Sequence, residues 1–176
     1  MTKPLAGTTP DSRLLAMNIP RLIDHILARY HEMHRQELPG IIALARKVET
    51  VHRDMREAPL GLADTLERLS EELDEHMRKE ELVLFPAMRE GVQDGFSDPI
   101  SVMRNDHENH ARTVQVMEKL TGGFAVPDGA CNSWRSLYAA TEKLCADLLE
   151  HIQVENYVLF PRFELAAKNG CICSHG

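Results

Sequence analysis

The sequence predicts an all-α fold, an up-down-up-down four-helix bundle, and three observations carry that expectation. Apolar residues recur at helical spacing over four long stretches, while sustained period-two alternation is missing and aromatic residues make up only 5%. The stretches are joined by short segments rich in Gly, Pro, Asp and Ser, as antiparallel neighbours in a bundle require. At 176 residues, the chain is long enough for one well-buried domain and short for two.

The first helix is expected from about Ile19 to Arg53, with apolar residues at Leu38, Ile41, Ile42, Ala45, Val48 and Val51. Pro39 lies inside it and predicts a kink or a break. Ala58-Pro59-Leu60-Gly61 reads as a turn. The second helix follows from about Leu62 to Glu90, with Leu66, Leu69, Leu73, Met77 and Leu84 on its buried side. After a loop rich in Gly, Asp and Ser, Asp98 is expected to cap the third helix, with Pro99 at its first position. That helix stops near Leu120, before Gly122-Gly123, and the fourth runs from about Asn132 to Ala167. Residues 1–18 read as a disordered N-terminal arm, 19–167 as the bundle, and 168–176 as a flexible C-terminal tail.

A formal net charge of -7 argues against nucleic acid and anionic membrane as partners. No apolar run approaches the roughly 20 residues that cross a bilayer. The polar start of the chain lacks the apolar core of a signal peptide, so a cytoplasmic location is expected. Cys131 and Cys145 stand alone, and Cys171 with Cys173 form a C-x-C in the tail, which makes no disulfide framework. Monomer and dimer both remain open.

The chemistry is concentrated in an internal repeat. His-Met-Arg-Lys-Glu-Glu-Leu-Val-Leu-Phe-Pro (His76 to Pro86) and His-Ile-Gln-Val-Glu-Asn-Tyr-Val-Leu-Phe-Pro (His151 to Pro161) match at six of eleven positions. Each copy places a His and a Glu four residues apart, on one face of its helix and about 6 Å from each other. An imidazole and a carboxylate able to bridge two cations suit iron, manganese or zinc. A solvated His–Glu pair is the ordinary reading of one such motif. Two copies on different helices, each followed by the same apolar ending, favour a metal centre.

Level along the bundle extends the set. At about 1.5 Å per residue, Glu80 lies roughly 15 Å before the end of the second helix and His107 roughly 13 Å after the start of the third. The same level on the first helix falls within about a turn of His31, with His34 next in line. His52 lies roughly 30 Å from His31 along a continuous helix and is left outside the site. His25 and His110 read as surface or supporting residues, and His175 falls in the tail. The expected metal ligands are His31, His76, Glu80, His107, His151 and Glu155: two ions bridged by Glu80 and Glu155, each with two imidazoles.

These residues resemble the hemerythrin-like pattern. Fuller stretches (Arg29 to Pro39, Lys47 to His52, Pro99 to His107 and both repeat copies) resemble the bacterial di-iron "repair of iron centers" proteins, the iron–sulfur cluster repair family, over about residues 20 to 163. The resemblance implies a hemerythrin-like four-helix fold. It also implies two non-haem iron ions, carboxylate-bridged and oxo-bridged when oxidised. Damaged iron–sulfur proteins are the implied partners, and nitric oxide or another small diatomic the implied ligand, in a nitrosative or oxidative stress response. Two departures stand out. Many members carry an additional N-terminal domain with paired cysteines, whereas this chain begins almost directly at the bundle. Oxygen-carrying hemerythrins have a second His four residues after the third-helix ligand, where this sequence has Ala111. Fewer imidazoles leave room for a small ligand. Repair, nitric oxide or oxygen binding without repair, and enzymatic reduction of nitric oxide are the competing functions.

Overall fold

The computed structural model describes residues 11–92 and 94–164, and these form a helical bundle with no strand among them. A short helix α1 (Ser12–Ala16) precedes the first long helix, which consists of α2 (Ile19–Ile26), a π-helical turn at Leu27–His31, and α3 (Glu32–Val51). The second long helix is α4 (Leu62–Lys79), a π turn at Glu80–Leu84, and α5 (Phe85–Arg89). The third is α6 (Ser97–Leu120), unbroken, and the fourth is α7 (Asn132–Val154) with a π turn at Glu155–Leu159. Helical backbone follows as far as residue 164. The first long helix packs on the second and fourth, the second on the third, and the third on the fourth. That ring of contacts is the expected up-down arrangement.

Two apolar clusters fill the bundle. One gathers Leu38, Ala45, Leu66, Leu69, Leu73, Met117, Trp134 and Leu148. The other gathers Leu22, Ile26, Tyr30, Phe85, Ile100, Leu159 and Phe160 around the opposite end. Residues 31, 76, 80, 107, 151 and 155 occupy the level between them, so the polar layer has apolar packing above and below. The expected core residues Leu66, Leu69, Leu73, Met77 and Leu84 are all buried, as are Phe85 and Phe160. Val51, at the end of α3, is 65% exposed and lies outside the core.

Several boundaries differ from expectation. α3 runs through Pro39 without a break. Pro39 and Gly40 face outward, so the carbonyl that loses its helical donor is on the solvent side, where the loss is mild. The third helix starts at Ser97 with Phe96 at its cap, and Asp98 lies in the first turn instead of capping it. A carboxylate there still faces the positive end of the helix dipole. Within the stretch expected to be a disordered arm, α1 is capped by the Asp11 side chain and buries Leu14. The Arg162 guanidinium holds it, donating to the carbonyls of Leu14, Leu15 and Met17. Residues 1–10 and 165–176 lie outside the described residues, with Cys171, Cys173, His175 and the expected tail among them.

Candidate metal centre

The three π turns coincide with the candidate ligands. His31 ends the first, Glu80 begins the second, and Glu155 begins the third. A π turn accommodates about one extra residue and so rotates the following face by about 100°. In the last two, the turn is closed by Phe85 N–H to the Glu80 carbonyl and Phe160 N–H to the Glu155 carbonyl. The wider turn also admits Pro86 and Pro161, whose rings would clash with the carbonyl four residues earlier in a regular α-helix. Pro six residues after the Glu is therefore a legible signal for the π turn in both repeat copies. The turn at Leu27–His31 carries no such mark.

All six expected ligands come together, each at most 2% exposed. Their donor atoms form two groups, His31, Glu80, His151 and Glu155, and His76, Glu80, His107 and Glu155, each converging within 4.8 Å. Both carboxylates belong to both groups, and each group has two imidazoles. His76 Nε2 and His107 Nε2 are 3.1 Å apart, and His151 Nε2 is 3.0 Å from Glu155 Oε1. Two donors bound side by side about 2.1 Å from one cation would be about 3 Å apart, so the arrangement fits a cation. His31 Nε2 lies 3.3 Å from Glu80 Oε2, and His76 Nε2 lies 3.5 Å from the same oxygen. Neither Glu80 oxygen has a hydrogen-bond partner among the described residues, although both are buried. A dry carboxylate in that state is costly unless a cation or proton neutralises it.

The site has an internal two-fold pattern. His31 and His107 are equivalent, as are His76 and His151, and Glu80 and Glu155. His31 stacks on Phe85 at 5.7 Å, and His107 on Phe160 at 5.9 Å. The outward nitrogens follow the same pattern. His31 Nδ1–H donates to Glu81 at 2.8 Å, and His107 Nδ1–H donates to Asn156 at 3.0 Å. Each bond fixes the tautomer that leaves Nε2 free to face inward. The pattern breaks at the other two rings. His76 Nδ1 faces Asp106 at 3.5 Å, whereas His151 Nδ1 has no partner and its ring lies flat against Tyr30, 5.0 Å between centroids. Sequence reasoning missed Glu81, Asn156 and Asp106 as supports. Their signal is adjacency: each directly follows or precedes a ligand.

Charge is distributed unevenly. Burial raises the Glu80 carboxyl to about 8, with repulsion from Glu155 acting in the same direction. Burial also works to raise Glu155, but the charge of His151, close contacts from His107 and His151, and the more distant His31 hold it well below the usual carboxylate range. His31 is pulled down by burial, yet the facing carboxylates of Glu155 and Glu80 lift it to about 10. Burial drives His76 down to about 2. Without a cation, protons on Glu80 and His31 supply part of the positive charge the two carboxylates need. A cation entering must displace them.

The remaining histidines divide clearly. His52 ends α3 far from the centre, its Nε2 3.1 Å from Cys131 Sγ and its ring 4.9 Å from Trp134. His25 is half-buried, with its ring edge-on to Tyr30. His34 and His110 are buried at 1% and 2% exposure, which removes the surface reading of His110. His34 lies outside the two converging groups, which take His31 from this helix.

A helical bundle with a duplicated His-x3-Glu pair turned onto its axis defines a class of cation-binding helical proteins. The chain belongs to the hemerythrin family: the model of the hemerythrin HHE cation binding domain matches residues 22–163. It is also similar to proteins named iron-sulfur cluster repair protein YtfE. The Pectobacterium atrosepticum protein is 45% identical over 141 residues, covering 80% of this chain and 64% of that relative. The Yersinia pseudotuberculosis protein is 44% identical over 144 residues (82% and 65%), and the Cronobacter sakazakii protein 42% over 158 residues (90% and 72%). The matched region thus spans slightly under two thirds of the first two relatives. No helix among the described residues is long and apolar enough to cross a membrane.

Proposed function

We propose that this chain is a cytoplasmic non-haem di-iron protein that binds nitric oxide and helps restore damaged iron–sulfur clusters under nitrosative or oxidative stress. The observation that carries the reading is the pair of four-residue groups sharing Glu80 and Glu155. His31, His76, His107 and His151 would hold the two ions, with the two glutamates spanning both. The name of the relatives supports repair as the use of such a centre. Iron there supplies redox chemistry and affinity for small diatomic ligands. The protein's own residues fix imidazole tautomers through Glu81 and Asn156, exclude bulk water by burial, and release protons from Glu80 and His31 as a cation enters.

The test has two arms. Metal analysis of freshly purified protein is expected to give two irons per chain, and nitric oxide added to the reduced protein to change its absorption and paramagnetic resonance spectra. Mixing the loaded protein with a nitric-oxide-damaged iron–sulfur enzyme is expected to restore that enzyme's activity. No iron and no spectral change would reject the reading. Binding without reactivation would instead select a nitric oxide or oxygen binding module, a reading favoured by the burial of the site away from any protein surface.

A further inference from the structure

His34 and His110 extend the two-fold pattern of the centre. His31 and His34 are three residues apart on the first long helix, and His107 and His110 are three apart on the third. Each outer histidine packs on the histidine of a His-x3-Glu motif: the His34 ring is 5.5 Å from His151, and the His110 ring is 5.2 Å from His76, nearly perpendicular. Both are almost wholly buried. His34 Nε2 and His110 Nδ1 have no hydrogen-bond partner among the described residues.

These two rings are not part of the converging ligand groups. They are one layer further out, in ring contact with the candidate ligands His151 and His76. Wholly buried and with no carboxylate partner, each is best accommodated as a neutral imidazole, which carries one N–H donor and one acceptor. A buried imidazole nitrogen without a partner is disfavoured in an apolar wall, and two of them at equivalent positions ask for a common explanation. The candidate ligands are 0–2% exposed, so a ligand reaching them is enclosed by protein, which favours one of a few atoms.

We propose that His34 and His110 are the hydrogen-bonding residues for a small anionic or polar ligand of two or three atoms held at the metal centre, one serving each half. The inference rests on the di-metal reading of the site. In this arrangement the N–H of each outer imidazole donates to the ligand, while the inner imidazoles and carboxylates hold the cations. The expected consequence is selectivity for ligands that accept a hydrogen bond over equally small ones that do not.

Azide is the probe. The 176-residue chain loaded with ferric iron is titrated with azide and followed by its charge-transfer absorption, alongside iron content and far-ultraviolet circular dichroism. His34→Leu and His110→Leu are each expected to keep two irons and weaken azide about tenfold or more, since a hydrogen bond to a charged group is lost. His34→Gln and His110→Gln, which keep a donor, are expected to recover most of that affinity. Where a Leu variant loses helix, the Met variant, which also lacks a donor, takes its place. Two irons with azide affinity within twofold of the parent overturns the inference alone. Loss of one iron per substitution also overturns it, by making the outer histidines metal ligands. A parent chain that takes up no iron overturns the metal reading itself.

Discussion

Glu81 Oε1 accepts a hydrogen bond from His31 Nδ1 at 2.8 Å, and the same oxygen accepts another from Arg35 at 2.7 Å. Glu81 is thus an anion fixed from outside, and it fixes His31 in turn. Glu81→Ala is expected to weaken metal binding about 10- to 100-fold while leaving helicity unchanged, the usual scale for losing a residue that orients a ligand. Competition with a chelator of known affinity measures it. An unchanged affinity would show that His31 is oriented by packing on Phe85 alone.

The sharing of carboxylates separates two kinds of variant. Because Glu155 belongs to both converging groups, Glu155→Ala is expected to abolish stoichiometric binding at both positions. His31→Ala removes a donor from one group only, and one ion per chain is the expected content. Elemental analysis against protein concentration distinguishes these outcomes. Equal losses in both variants would mean that the positions fill together.

Stability of the metal-free chain should peak near neutrality. His34, His76 and His110 are depressed by burial, to about 3, 2 and 4, so they favour the fold above the ordinary histidine range, and that support is lost as pH falls. Glu80 and His31 are raised to about 8 and about 10, so their support is present at low pH and lost as pH rises through those values. The signs oppose, and the maximum is expected at about pH 6.5, with about 1.4 kcal/mol per pH unit for each unbalanced proton. Thermal melts of chelator-treated protein from pH 5 to 9 test this. Metal loading should flatten the alkaline side, since cations replace the protons on Glu80 and His31.

At the far end of the bundle, the His52 hydrogen bond, followed by backbone donors at the start of α7, lowers the Cys131 thiol below its ordinary range, while burial raises Cys145 to about 12. In a chain with Cys171→Ser and Cys173→Ser, Cys131 is expected to be alkylated at pH 7.5 well before Cys145. His52→Ala should slow it several-fold. Mass spectrometry of iodoacetamide-treated samples reads both rates.

The bundle and its six central donors were legible because they rest on periodicity and duplication. Leu66, Leu69, Leu73 and Met77 announce a buried face, and the paired motifs announce a shared centre. Other features depend on contacts far apart in sequence. α1 is too short to show a period, and Arg162 holds its carbonyls from near the end of the described chain. Two of the π turns are marked by Pro86 and Pro161, but the one at Leu27–His31 is hidden, because a helix is read at a 3.6-residue period and one added residue shifts the face without changing the composition. Of the two readings of His110, surface or supporting, the buried supporting one holds, and spacing could not choose between them because the burial of a single ring leaves no periodic mark.

Each metal position draws its donors evenly from two halves of the chain: His31 or His76 with Glu80 from the helices before Glu90, and His107 or His151 with Glu155 from those after Phe96. Neither helical hairpin can complete a position by itself. A cation there would be a rivet between the two hairpins, and the connection at residues 90–96 would become dispensable once it is in place. A chain cut in that connection should travel as one particle when loaded, and its two pieces should separate more readily when stripped.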